Sequence, residues 1–348
     1  MAFVLALGLL LSSRLVVGDF GYDGDNGPDN WGDQCQGKFQ SPIDIEEKDV
    51  TYHSFPPLQF YGVSASHKAR MLNNGHTVKI ENLESHFPEI SGGPLNGTHV
   101  LQQIHFHWGQ SDDLGSEDLI NNHSYSMELH AVFWRKSYGT ADEAMKHDDG
   151  LTVLGYLYQA TDTPNADFDA IVTHMSDIQP VNSNVSIDDQ QILSKLILPQ
   201  SSTPEDYFTY KGSLTTPPCS EIVQWIDFVQ PQNISHEQLA AFRRIQSNDG
   251  TNITHNFRPV QPLDGRIVYR NKKMDEATTT PKSTTKEDST KNLKPTSPIN
   301  GEHSMQPNAT SKPDKMDKQD NKKSGQDSMW TVSPFAVILG IIFLLPYQ

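Results

Sequence analysis

Positive charge is in short supply in this chain, where 27 Lys and Arg stand against 43 Asp and Glu for a formal net charge of −16. That excludes nucleic acid as a partner, because its binders need a basic face. The shortage is uneven. Residues 271–330 carry 11 Lys and 9 acidic residues, so the rest of the chain carries −18. Self-repulsion of that charge favours solubility, and attraction of calcium or another mineral cation is the second reading. Large apolar residues are almost missing from the same 271–330 stretch. A packed core is therefore excluded there, and the Thr, Ser, Lys and Pro content predicts a disordered, extended stalk open to O-glycosylation.

Long apolar runs are confined to the two ends. Residues 1–18 (MAFVLALGLLLSSRLVVG) hold an unbroken apolar stretch from Ala2 to Leu11 and then smaller residues. This pattern predicts a signal peptide cleaved before Asp19, although no Lys or Arg precedes the stretch. A buried helix would need a polar face that the segment lacks. At the other end Val332–Leu345 (VSPFAVILGIIFLL) is short of the ~20 apolar residues of a spanning helix and has no basic anchor after it. Small residues upstream, a polar spacer and an apolar end predict a GPI-attachment signal, with Ser324 as the attachment residue and Gly325 or Ser328 nearly as suitable. A short single-pass helix is the rival reading.

Cysteine is scarce too. Cys35 and Cys219 would pair in an oxidising compartment and would be buried thiols in a reducing one; the N-terminal signal favours the pair. Six N-x-S/T sequons, at Asn96, Asn122, Asn184, Asn233, Asn252 and Asn308, point the same way, to a secreted glycoprotein.

Residues 19–270 show no internal repeat and little helical periodicity. Val100–Trp108, Met127–Trp134, Leu151–Tyr158 and Ile222–Val229 are β-rich runs separated by Gly, Asn and Pro turns. The best helix is Ser235–Gln246, where Ser235 and Gln238 form a capping box ahead of Leu239, Phe242 and Ile245. The expected fold is mainly β, α+β in class, with a large, mostly antiparallel central sheet and short peripheral helices.

Chemistry concentrates in QQIHFHW at 102–108. In a strand, Gln103, His105 and His107 share one face while Ile104, Phe106 and Trp108 take the other. The two imidazoles then lie ~7 Å apart at their backbones and point the same way. In MELHAVFW at 127–134, Glu128, His130 and Val132 share a face. If the two strands pair, His130 completes a three-histidine site with its fourth position open, which suits a catalytic zinc. Gln103 and Glu128 are placed to hold ligand N–H groups. His-x-His on a strand is common by chance, and this polar company is what raises it above that background.

The sequence resembles the α-class carbonic anhydrases over nearly all of 20–270. The resemblance is carried by GPDNW at 27–31, QSPIDI at 40–45, LNNGH at 72–76, QIHFHWG at 103–109, GSE at 115–117, MELHAVFW at 127–134, GSLTTPPC at 212–219 and FRPVQPL at 257–263. It implies zinc on His105, His107 and His130, supported by Gln103 and Glu128. It further implies that Thr215 accepts a hydrogen bond from hydroxide and donates its own to Glu117, which aims the nucleophile. An apolar wall for carbon dioxide maps onto Val132, Val153, Leu214, Val223 and Trp225, with Thr216 beside Thr215. His76 is implied as the proton shuttle, with Tyr22 and Asn74 ordering its water chain. Cys35 and Cys219 match the cysteine pair of the family's extracellular members. One departure is the aromatic pair near the start of the family domain, usually including Trp and here Phe20 and Tyr22. It should affect how His76 turns.

The expected function is zinc-dependent, reversible hydration of carbon dioxide to bicarbonate and a proton, by a lyase held through a lipid anchor at the outer cell surface. Domain boundaries follow as 1–18 signal peptide, 19–270 catalytic domain, 271–324 stalk and 325–348 attachment signal. Some members of the family are catalytically silent binding domains that have lost ligand histidines, but all three stand in this chain. A bicarbonate transporter or a mineral surface is left open as a further partner.

Overall fold

The computed structural model describes residues 20–200 and 205–271. They belong to the first of two compact units, 1–281; the second, 282–348, lies outside the described residues. The signal peptide, the attachment signal with Ser324, Asn308 and the stalk beyond Asn271 also lie outside them.

A strand buries one face by alternation, and the strand His99–Trp108 does so where it matters. Ile104, Phe106 and Trp108 are wholly buried in the larger of two main apolar clusters, with Leu129, Ala131 and Phe133 of the strand Met127–Arg135. The opposite face of those two strands carries the histidines. Both strands belong to a twelve-stranded sheet among the described residues, whose centre runs Val78–Asn82, His99–Trp108, Met127–Arg135, Leu151–Thr161, Val223–Ser235 and Tyr207–Gly212. The expected run Ile222–Val229 is extended to Ser235, so it leads directly into the following helix.

The sheet is mostly antiparallel, as expected, with a parallel pair at its centre and another at one edge. Leu151–Thr161 pairs with Val223–Ser235 in parallel, and the edge strand Thr51–His53 runs parallel to Tyr269–Asn271. A parallel pair needs a long crossover. The chain between the two central strands supplies it, passing through two short helices, Asp169–His174 and Ile192–Ile197, and the edge strand Asn184–Ile187. The expected helix after Ser235 forms over His236–Phe242 with its capping box intact: Gln238 N–H donates to Ser235 Oγ and Ser235 N–H to Gln238 Oε1. Leu239 and Phe242 are buried in the larger cluster.

His99 opens its strand almost fully buried, with Nδ1 unpartnered. Burial lowers its pKa to about 4, against a backbone hydrogen bond at Gly97 that favours the proton. The unfolded chain takes up this proton near pH 6.5 and the folded chain only near pH 4. The associated stability is therefore complete above the unfolded value and lost as the pH falls towards the folded one. His99→Leu should flatten that limb by up to about 3 kcal/mol, as read from urea unfolding at neutral pH and again in mild acid.

Candidate metal centre

Pairing of the two histidine strands sets the site. After a register shift between Leu101 and Gln103, His105 stands opposite His130 and His107 opposite Glu128. The three rings gather with centroids 4.5 to 5.1 Å apart. One nitrogen from each ring lies within 4.8 Å of the others.

The second nitrogen of each ring is held from behind. His105 Nδ1 donates to Gln103 Oε1 at 3.1 Å, and His130 Nε2 donates to Glu128 Oε1 at 2.8 Å. His107 Nδ1 donates to the backbone carbonyl of Asn256 at 2.8 Å. These bonds leave Nε2 of His105, Nε2 of His107 and Nδ1 of His130 for a shared ligand. Burial disfavours the imidazolium in all three, bringing His130 to about 3 and the other two well below their ordinary value. Neutral imidazole is the form that binds a metal.

Gly155 faces His130 on the next strand, and a Cβ there would fall 2.4 Å from Asp227 Oδ1 and 3.3 Å from Glu128 Oε1. Glycine at this position lets the support behind His130 close up. Glu128 also accepts from the N–H groups of Glu117 and Asp118 at Oε2, 2.8 and 2.9 Å away. Burial nevertheless raises its pKa to about 8. Asp118, Glu128 and Asp227 form a second set of close ionisable groups, but its donors are all carboxylates.

Glu117 is buried on the other side of the imidazoles. Its Oε1 accepts from Arg258 N–H at 2.8 Å, while Oε2 has no hydrogen-bond partner and lies 3.4 Å from His107 Nε2. Burial raises the Glu117 pKa well above the carboxylate range, and hydrogen bonding with Thr215 opposes this. Thr215 thus interacts with Glu117 without closing a short bond to Oε2. His107 Nε2 is unpartnered as well. An unpartnered, buried nitrogen on His107, grouped with a nitrogen of His105 and of His130, fits a divalent cation of zinc type.

The apolar residues expected beside the metal assemble into one cluster that meets His130 through Trp225. Val153 pairs with Val132 on one side and Trp225 on the other. These three and Val223 belong to the smaller main cluster, with Leu214 packed on it. The Trp225 ring stands edge-on to His130 at 4.8 Å. Thr216 sits in the turn that follows, its carbonyl accepting from Cys219 N–H at 2.8 Å.

Residues 26–272 match the family described as eukaryotic-type carbonic anhydrase. The chain is 37% identical to mouse carbonic anhydrase 7 over 72% of its length and 96% of that protein, and 33% identical to human carbonic anhydrase 3 over 72% and 97%. The chain belongs to the eukaryotic-type carbonic anhydrase family. It is a zinc enzyme of that class, and the His105, His107 and His130 triad is the site built for the ion.

His76 in this carbonic anhydrase lines a cleft with Phe20, Tyr22 and Asn252. Its ring stacks on Phe20 at 4.0 Å and 8°. Asn74 shapes the turn that presents it, because Asn74 Oδ1 accepts from the N–H groups of His76 and Thr77. Asn256 is invisible to sequence reasoning. It holds His107 through a carbonyl that every residue type has, and its side chain also takes Trp108 N–H at Oδ1 and donates to His76 O. Its place just before FRPVQPL is the one available signal. Cys35 and Cys219 form a disulfide.

Proposed function

We propose that this chain catalyses reversible hydration of carbon dioxide to bicarbonate and a proton at the outer face of the cell. The observation that carries the chemistry is the triad of neutral imidazoles, each held from behind. Zinc bound there supplies Lewis acidity that brings the pKa of a coordinated water to ~7, a value known from carbonic anhydrases themselves.

The protein's own residues do the rest. Glu117 accepts a hydrogen bond from the Thr215 hydroxyl, so the Thr215 oxygen is left to accept from the nucleophile and fix its direction. Val132, Val153, Leu214, Val223 and Trp225 exclude water from the place where carbon dioxide, which has no dipole to grip, must lie. Thr216 lies beside that place and contacts the bound substrate. Gln103 and Glu128 hold His105 and His130 in orientation.

His76 takes the proton out, with Tyr22 and Asn74 ordering the water between. In weak buffer, His76→Ala should lower turnover by about tenfold or more, with recovery in concentrated imidazole buffer. A loss that imidazole does not repair would remove His76 from this role.

The outer location is supported by the N-terminal apolar stretch of residues 1–18, the disulfide and the sequons. All five sequons within the described residues, Asn96, Asn122, Asn184, Asn233 and Asn252, are exposed, as glycosylation requires. A stalk over 271–324 ends at a lipid attached near Ser324. The full chain expressed on cells should hydrate carbon dioxide, lose that activity to a zinc chelator, and be released by a phosphoinositide-specific phospholipase. Inactive, zinc-free protein would sink the catalytic reading; retention after lipase treatment would favour a spanning helix.

A further inference from the structure

Lys79 lies on the strand Val78–Asn82 directly opposite His105. Opposed residues in an antiparallel pair send their side chains to the same face, so this lysine stands on the imidazole side of the sheet. Side chains opposed in this way have their Cβ atoms about 5 Å apart, so the Lys79 side chain starts beside that of His105.

The ammonium is anchored. Lys79 Nζ lies 2.7 Å from Glu81 Oε1, and Arg70 donates to the other oxygen of the same carboxylate. Burial works against the charge on Glu81, yet the bonds from Arg70 and Lys79 outweigh it and its pKa falls. Two cations therefore share one carboxylate, and the trio keeps one net positive charge. Only about a quarter of the Lys79 side chain is exposed, 28%, so solvent screens it incompletely.

This charge stands out in a chain whose first 270 residues are strongly acidic. Carbon dioxide gains nothing from it, being uncharged. Bicarbonate does. We propose that Lys79, fixed by Glu81 and Arg70, forms an anion-receiving subsite beside the metal centre, which takes bicarbonate and other small monovalent anions. The inference rests on the carbonic anhydrase reading of the site. Hydration and dehydration share one equilibrium constant, so the charge cannot alter the ratio of their kcat/KM values. It acts on the affinity of the bound anion.

The test uses the full chain with cobalt(II) in place of zinc, titrated with azide and with bicarbonate at low ionic strength and followed by the visible spectrum. Lys79→Asn should weaken both anions roughly fivefold, and Lys79→Glu further. Lys79→Arg should stay near wild type, and Glu81→Gln, which removes the shared carboxylate, should tighten both. The spread should shrink in ~0.5 M salt. Equal weakening by Lys79→Asn and Lys79→Arg would indicate shape and overturn the proposal, as would no change in either. A wild-type chain that takes up no cobalt would instead sink the underlying reading of the site.

Discussion

Replacing His107 by alanine should leave the purified protein almost free of zinc and lower carbon dioxide hydration by at least about a thousandfold. The expectation follows from how little else the residue does. It is 1% exposed, its Nδ1 is committed to the Asn256 carbonyl, and its Nε2 has no partner within the protein. Loss of the ring leaves two imidazoles, fewer than the three protein ligands of a catalytic zinc site. Glu117 does not stand in for it, because its Oε1 is held by Arg258 N–H and its Oε2 lies 3.4 Å from that nitrogen. Zinc content by elemental analysis and stopped-flow hydration would measure the two effects, with far-UV circular dichroism to verify the fold. His86→Ala, outside the triad, is the control and should keep both. Full zinc occupancy with undiminished hydration in His107→Ala would place the metal elsewhere.

The double variant Cys35→Ser/Cys219→Ser should lose up to about 5 kcal/mol of stability, with a matching fall in denaturation midpoint. The bridge spans 184 residues of sequence, and long loops lose the most entropy when cross-linked in the unfolded chain. It also bears on the active site. Cys219 sits four positions after Thr215 with φ 57°, a left-handed conformation that costs an L residue roughly 1–2 kcal/mol. At the other end, the Cys35 carbonyl accepts from Arg258, the residue whose N–H holds Glu117. Without the bridge, the Cys35 segment that Arg258 bonds is held to the turn carrying Thr215 only by noncovalent contacts, such as Gln40 to the Cys219 carbonyl. Urea unfolding with and without reductant would show the stability change. Hydration should fall in the reduced or substituted protein at temperatures where the fold itself survives. Unchanged midpoints would mean that the bridge closes a loop already ordered in the unfolded state.

Much of the metal site is legible in the sequence, for a local reason. Strand alternation is a property of the backbone, so HFH at 105–107 places both histidines on one face and puts Phe106 into the core. Gln103 and Glu128 share faces with their histidines by the same rule, and both bonds are present. The capping box at Ser235 and Gln238 is equally local. Motif resemblance supplies what alternation cannot, above all the grouping of Val132, Val153, Val223 and Trp225 from three separate strands.

Residue order by itself determined which side chains face which way along each strand, where the helix after Ser235 begins, and which residue types can bind the ion. Tertiary structure alone decided the register that sets His130 against His105, and Lys79 against His105 from the other side. It also decided the parallel pairing at the sheet's centre and the use of a backbone carbonyl, 149 residues from His107, as its support. The physical reason is range. Facing and capping are settled within a few residues, whereas register and distant carbonyls are settled by packing the whole sheet, and no short stretch of sequence carries that information.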